Sequence, residues 1–332
     1  CIHTHPLSDF SISWDYWHIN LITRMAVPFF FVSSGYFFFK KILIKGFQIT
    51  ILRAYIKKIL TIYLSWTAVY LPFFIIFRKT GIVHESGNMV VNFFWSLFFK
   101  GSYYHLWFFP ALIFSVILLF YMAKSFRLSY ILILFFILYL VGLLGDSYYY
   151  LSDAMGFRHW VDIYRKYFGH SRNGLFFGMI YVTSGAYIAR IEGSKFFKEI
   201  NWKHLTILFS LLILEVYLVK QYHLSIDNNM YISLLPFSFI LFIVLLKTEL
   251  PQLINYKVFR DYSLFIYAFH VIPLEIISLL VYYQLIAKPG SFLLFVVSVV
   301  LSVCFSYIAS TQRVKNIIKI FHNAKSIRIQ RF

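Results

Sequence analysis

The stretch ITRMAVPFFFVSSGYFFFKK, Ile22 to Lys41, sets an arginine inside a run otherwise fit to cross a bilayer. A guanidinium at such a position costs about 2.5–3.5 kcal/mol on insertion scales, so Arg24 must have a partner or a task. The surrounding chain has the same character. Of its 332 residues 60% are hydrophobic and 22% aromatic, and 13% are charged, where soluble domains carry about 25% charged residues. The fold class that follows is all-α, a polytopic transmembrane helix bundle.

A span needs about 20 mostly apolar residues. Nine segments qualify, at 17–39, 56–77, 106–123, 129–145, 174–189, 205–219, 231–246, 262–283 and 291–311. CIHTHP, at residues 1–6, reads as the outer end of a further span whose body would precede Cys1. About ten spans are therefore expected, the first truncated at the N-terminus. The tail from 313 to 332 carries Val314, Ile317, Ile318 and Phe321 at helical spacing with Lys315 and Lys319 between them. It reads as a basic amphipathic helix on the cytoplasmic face.

Six cations, Lys40, Lys41, Lys45, Arg53, Lys57 and Lys58, crowd the link between the first two complete spans. Placing that link in the cytoplasm puts 21 Lys and Arg inside and nine outside, with Arg24 in the membrane, in line with the positive-inside rule. The net charge of +18 then reports orientation and contact with anionic membrane lipids, and no nucleic acid is implied. Two cysteines, one of them in an apolar run, make no disulfide framework. The segments 1–16, 78–104 and 146–172 become outer loops. The Tyr-rich third of them is either an interfacial aromatic belt or a substrate rim.

Several residues could carry chemistry. His3 and His5 stand at the outer end of the first stump, and histidine is the side chain suited to take and return a proton near neutral pH. Arg24 lies in the outer half of its span. It is either a structural clamp or a site for an anionic group, because guanidinium holds oxyanions bidentately. Ser33, Ser34 and Gly35 are deeper in that helix, where small residues permit close packing. SYYHLWFFPAL brings His105 to the outer level, and HSRNGLFFG brings Arg172 and Asn173 to the mouth of another inward span. His270, Glu275 and Glu215 lie mid-span and each needs a partner. Lys57 and Lys58 face the cytoplasm, where they serve topology or hold nucleotide phosphates. There is no phosphate loop, no H-E-x-x-H zinc motif, no dinucleotide fingerprint and no G-x-S-x-G elbow, so no metal is expected.

Together these stretches resemble the membrane-bound acyltransferase family 3. The resemblance rests on Ile2-His3-Thr4, on Arg24 to Pro28 continuing through Ser34-Gly35-Tyr36, on His105 to Leu112, on Arg172 to Gly178 and on Ser263 to His270. It covers the chain to about Thr311 and makes 1–312 an acyltransferase-like transmembrane domain. It implies transfer of an acyl group, usually acetyl from acetyl-CoA, to a hydroxyl of a carbohydrate outside the membrane. His3 maps to the family's essential base. Arg24 and His105 join it as catalytic candidates, Arg172, Asn173, His5, Ser34, Tyr36 and His270 as substrate-side candidates, and Lys57 and Lys58 as contacts for the donor. Family members often append an esterase-like or racemase domain, and this sequence shows neither. The expected location is a bacterial plasma membrane. The rival reading is a transporter of a polar or anionic solute, with Arg24 and Arg172 in its binding site.

Overall fold

The computed structural model describes residues 2–82, 87–249 and 256–310. The expected tail helix at 313–332 lies outside the described residues. Among those residues there is no strand. The α-helices in chain order are α1 (Ile12–Trp17), α2 (Ala26–Lys45), α3 (Ile49–Lys79), α4 (Met89–Trp95), α5 (Phe108–Ser125), α6 (Leu128–Leu143), α7 (Leu151–Ala154), α8 (Arg158–Phe168), α9 (Met179–Ile191), α10 (Lys195–Glu199), α11 (Trp202–Gln221), α12 (Leu234–Lys247), α13 (Tyr256–Phe269), α14 (Ile272–Tyr282) and α15 (Ser291–Ser310).

Among the described residues, seven stretches are long and apolar enough to cross a bilayer: Ile12–Lys45, Ile49–Lys79, Phe108–Ser125, Gly174–Ile191, Trp202–Gln221, Asp261–Tyr282 and Ser291–Ser310. About ten were expected. The shortfall has a local cause at two places. Helices α6 and α12 hold 16 and 14 residues, roughly 24 and 21 Å at 1.5 Å per residue. The outer end of the expected 231–246 span is instead drawn aside by two carboxylates. Asp146 accepts from the backbone N–H groups of Asn229 and Met230, and Glu215 accepts from those of Ile232 and Ser233. Glu215 thus supplies negative charge where the first N–H groups of α12 lack helical partners. It also accepts from the Tyr148 and Ser233 hydroxyls, which accounts for this mid-span acid structurally. At the other end of the chain, Ile2–Phe10 forms successive turns and no helix.

The chain divides into two units, residues 16–248 and residues 1–15 with 249–332. In the first, α2 and α9 are the most closely packed pair. Gly35 meets the carbonyl of Val182, and Gly185 meets that of Val32, so closely that a β-carbon on either glycine would stand 2.0 Å from the opposing oxygen. This is backbone-to-backbone packing that only small residues permit. Phe31 packs on Phe177, just before α9, while Tyr36 and Lys40 further along α2 reach Glu192 just after it, so the two helices run parallel, as alternating spans require. Their far ends are tied by Lys40, whose Nζ donates to Glu192 at 3.0 Å and to the Tyr36 hydroxyl at 2.9 Å. Tyr36 in turn donates to Glu192 at 2.9 Å.

In the second unit, the expected 262–283 span is broken between α13 and α14 at His270 and Val271. Pro273 has no N–H with which to continue the ladder. The His270 carbonyl accepts instead from Ser298 Oγ of α15 at 2.6 Å. The ring of Phe269 stacks on that of Phe305 at 4.2 Å. Ser298, Ser302 and Ser306 form a buried stripe on α15 at four-residue spacing, which lets α13 and α14 approach it.

Candidate active site

Arg24 does not sit in regular helix. A π turn at His18–Ile22 and a 3-10 turn at Thr23–Met25 precede α2, and Arg24 lies on the second. A further π turn at Gly174–Gly178 precedes α9, just after Arg172 and Asn173. Such departures from α geometry recur at functional sites. The parallel packing of α2 on α9 brings these two irregular starts to the same end of the pair.

There the guanidiniums converge. Arg24 Nη1 donates to Asn229 Oδ1 at 2.5 Å, and Arg172 Nη1 donates to the same oxygen at 2.8 Å. Asn229 Nδ2 donates to Asp146 Oδ2 at 2.9 Å, while Asp146 Oδ1 accepts from the N–H groups of Asn229 at 2.7 Å and Met230 at 3.0 Å. Ser147 Oγ adds a fourth donor at 3.1 Å. Asp146 is fully buried. Burial pushes its pKa up, and the Asn229 side chain and backbone N–H oppose that by holding the charged form. Four donors and no acceptor fit a carboxylate. Arg24 Nε is buried and makes no hydrogen bond among the described residues.

The rest of this end is tied by polar groups from three loops. Arg165 donates to Asp227 at 2.9 Å and to the Gly145 carbonyl at 2.6 Å. Tyr231 donates to Asn20 at 3.1 Å, and Tyr139 donates to the Tyr231 carbonyl at 2.7 Å. The Arg172 guanidinium lies 4.9 Å over the Trp107 ring, a cation–π contact. His170, near Trp107, has its pKa lowered to about 3, first by burial and then by Arg172.

The sequence-derived candidates divide. Arg24 and Arg172 are brought together. Asn173 turns to its own chain: its Oδ1 accepts from Leu175 N at 2.9 Å and Phe176 N at 3.1 Å as a helix cap, and its Nδ2 donates to the Tyr164 hydroxyl. It lines a cleft of about 250 Å³ with Phe98, Phe114, Tyr164 and Phe168. His105 is buried edge-on against Tyr70 at 4.7 Å, and its neighbour Trp107 is the residue that touches Arg172. Ser34 bonds to Tyr55. Tyr36 belongs to the Lys40–Glu192 cluster, roughly 18 Å along the helix from Arg24. Lys57 and Lys58 are exposed on α3.

In the other unit, His3 is exposed and stacks on His270, with ring centroids 5.4 Å apart and planes at 27°. His270 Nδ1 lies 2.8 Å from the Tyr267 carbonyl. A carbonyl accepts only, so Nδ1 carries the proton and Nε2 the basic lone pair. His5 Nδ1 is 2.7 Å from Asp15 Oδ2, whose other oxygen accepts from Leu7 N at 3.1 Å. His5 is therefore pinned to the turn that follows His3.

The acyltransferase domain family matches residues 1–311. The chain belongs to that family. An amino-acid racemase of Enterococcus faecalis is similar to this acyltransferase-family chain, 28% identical over 246 residues that cover 74% of the chain and 33% of the relative. A second amino-acid racemase of that organism is 29% identical over 308 residues, 89% of the chain and 42% of the relative. A serine/alanine racemase of Enterococcus gallinarum is 29% identical over 271 residues, 81% and 38% respectively. The chain thus spans a third to two-fifths of the length of these curated relatives. No solved structure matches it.

Asn229 and Asp146 escaped the sequence reading as site residues. In the sequence Asp146 is simply an acid at the start of the 146–172 segment, and nothing distinguishes Asn229 from any loop asparagine. The π turns were equally illegible, since the apolar periodicity through residues 18–25 and 174–178 does not register a one-residue bulge.

Proposed function

We propose that this acyltransferase-family protein transfers an acyl group, acetyl from cytoplasmic acetyl-CoA, to a hydroxyl of a cell-envelope or exported carbohydrate at the outer face of a bacterial plasma membrane. The observation that carries the reading is the pair of guanidiniums on one amide oxygen at the start of α2 and α9, in a chain of this family. Attack of a hydroxyl on a thioester requires a base for the hydroxyl proton and positive charge for the oxygen that becomes anionic. His3 takes the first part. Its imidazole accepts the hydroxyl proton as the sugar oxygen bonds to the thioester carbon. Arg24 stabilises the tetrahedral oxyanion or grips a donor phosphate. Collapse expels the CoA thiolate, which takes the proton back from His3. His270 holds the His3 ring by stacking, and His105 remains a second catalytic candidate. Arg172, Asn173, His5, Ser34 and Tyr36 are the candidate contacts for the acceptor. Lys57 and Lys58 meet the nucleotide phosphates of the donor, and membrane lipids surround the bundle.

Purified protein in proteoliposomes, given labelled acetyl-CoA and a panel of envelope glycans, tests this directly. Label appearing on glycan supports the reading, and its absence across the panel with folded protein rejects it. A second reading, transport of an anionic solute, is favoured by the break of a spanning stretch at His270 and Val271, because discontinuous helices mark many transport sites. The relatives' names point that reading to amino acids, whose carboxylate two guanidiniums would suit. Uptake of labelled amino acid by the same proteoliposomes without donor would favour it. The racemase activity in those names is not proposed for this chain, which matches no more than 42% of any of the three relatives.

A further inference from the structure

After α3 the chain turns back in an apolar stretch, Met89–Lys100, made of the seven residues of α4 and the five of a π turn at Ser96–Lys100. At 1.5 Å per residue it is roughly 18 Å long, too short to cross a hydrocarbon core of about 30 Å. It returns beside α3. Phe93 packs on Phe74 with ring centroids 5.3 Å apart, and further on the Leu97 carbonyl accepts from the Tyr63 hydroxyl at 2.8 Å. Going forward along this stretch is therefore going back along a helix of spanning length. Val90, Val91, Phe94 and Phe98 are exposed all the same, Phe98 by 68%.

Helix α8 meets this stretch. Trp95 Nε1 donates to the Tyr167 carbonyl at 3.0 Å, and the Phe168 ring lies 5.7 Å from that of Trp95 and 5.8 Å from that of Phe99. α8 itself has three faces. Arg158, Val161, Tyr164, Arg165 and Phe168 turn toward the protein, where Arg158 pairs with Asp153 at 2.7 Å and Arg165 with Asp227 at 2.9 Å. The other residues of α8 are exposed, and helical geometry sorts them. Asp162, Lys166 and His159 fall within an arc of about 60°, and Ile163, Tyr167 and Trp160 within the next 60° or so.

A helix between protein and water needs two faces. The third, with Trp160 68% and Tyr167 57% exposed beside Ile163, has the make-up of a helix lying in a membrane interface, ring bodies in the apolar boundary and polar tips toward the headgroups. A sugar-binding rim sets hydrogen-bonding groups among its rings, whereas this surface sets Ile163, Val90 and Val91 there. Two of the tyrosines that make the 146–172 segment aromatic are engaged internally, Tyr148 with Glu215 at 2.6 Å and Tyr149 with Asp162 at 2.5 Å. The apolar surface also continues from a span. Phe98 and Phe168 wall the cleft of about 250 Å³ together with Phe114, an exposed residue of the spanning stretch Phe108–Ser125.

We propose that Met89–Lys100 and α8 form a re-entrant anchor seated in the leaflet at which α3 ends. Lipid hydrocarbon covers Val90, Val91, Phe94, Phe98, Ile163 and Trp160, and water reaches His159 and Lys166. The cleft, with Asn173 in its wall, then opens into the leaflet.

Spin labelling in proteoliposomes of phosphatidylethanolamine and phosphatidylglycerol tests this, on a background of Cys1→Ser and Cys304→Ser. Single labels go to Phe98→Cys, Ile163→Cys, His159→Cys and Lys166→Cys, all at exposed positions. Where a label lowers the melting temperature, Phe94→Cys replaces the first and Tyr167→Cys the second. Molecular oxygen concentrates in hydrocarbon and a nickel chelate in water. Oxygen should be the stronger relaxant at 98 and 163, and the nickel chelate at 159 and 166. A nickel preference at 98 or at 163 overturns the proposal. So does a label at 163 that is shielded from nickel only when soluble glycan is added, which would make this face a substrate rim. No acyl transfer is read, so failure here leaves the acyltransferase reading untouched, and failure of that reading leaves the anchor standing.

Discussion

Gly35 of α2 lies so close to Val182 of α9 that an added β-carbon would stand 2.0 Å from the Val182 carbonyl oxygen. The neighbour is backbone, which cannot rotate away as a side chain would. This contact sets the depth at which the two helices run side by side, and so sets the level at which Arg24 and Arg172 face Asn229.

Gly35→Ala is therefore expected to do more harm than a methyl group usually does. Overpacking costs about 1–3 kcal/mol, and here relief requires the helices to part. A fall in melting temperature should accompany a loss of transfer of tenfold or more, because the arginine pair loses its common acceptor. Gly142→Ala is the control. Its nearest neighbours are the Phe176 and Met230 side chains at 2.8 and 3.1 Å, so a smaller drop in stability is expected. Equal effects in the two variants would remove the special place given to the α2–α9 contact.

Arg24→Lys separates clamp from ligand. An ammonium keeps the charge and loses the planar fork. The expected result is near-normal melting with transfer reduced about 10²–10³-fold, and Arg24→Ala should be no better. A Lys variant with wild-type turnover, beside an Ala variant that merely unfolds early, would leave Arg24 a structural residue.

His3→Ala should abolish transfer while expression and membrane insertion persist. His270→Ala should retain part of the activity, since that ring touches the base and not the reacting atoms. The pH–rate profile distinguishes the two roles. Loss of the orienting ring should lower the plateau, and loss of the base should remove the ascending limb. Full turnover in His3→Ala would move the base to His5 or His105.

His170 makes stability depend on pH. Its pKa is lowered to about 3 in the fold, first by burial and then by Arg172, from about 6.5 in an unfolded chain. The folded state thus favours the neutral ring. That stability is complete above about pH 6.5 and is lost as pH falls toward 3. Stability measured from pH 7.5 to pH 4.5 should decline, by up to about 3 kcal/mol at the acid end. His170→Phe should flatten the decline. An unchanged slope in that variant would assign the acid sensitivity to other groups.

Cysteine labelling of intact cells, after replacement of the native cysteines, checks the sidedness. A cysteine at His159 on α8 should react with an impermeant reagent, and one at Lys45 should not. Reaction at position 45 from outside would invert the orientation drawn from the 21-to-9 division of Lys and Arg.

Much of this architecture is legible in local pattern. The apolar runs, the excess of cations between α2 and α3, and the motifs around Arg24, Arg172 and His270 are all short-range features. A bilayer imposes one requirement on every spanning segment, that apolar residues fill about 20 positions. A linear reading therefore finds the helices, their order and the cost of a buried guanidinium, and the small residues around Gly35 announce close packing without naming the partner.

The tertiary structure decided what local pattern does not encode. Arg24 and Asn229 are separated by 205 positions, and their contact exists only because α2 packs on α9 and because Asp146 holds the 229–230 backbone. The same carboxylate, together with Glu215, shortens α12 below the length its apolar sequence predicts, since backbone N–H groups bound to side chains are lost to the helix. The contacts that Asn173 makes as a helix cap and His105 makes with the Tyr70 ring are likewise absent from local pattern. An amide or an imidazole has the same letter whether it holds a helix end or a ligand. Which of these it does depends on the groups that folding brings within about 3 Å of it.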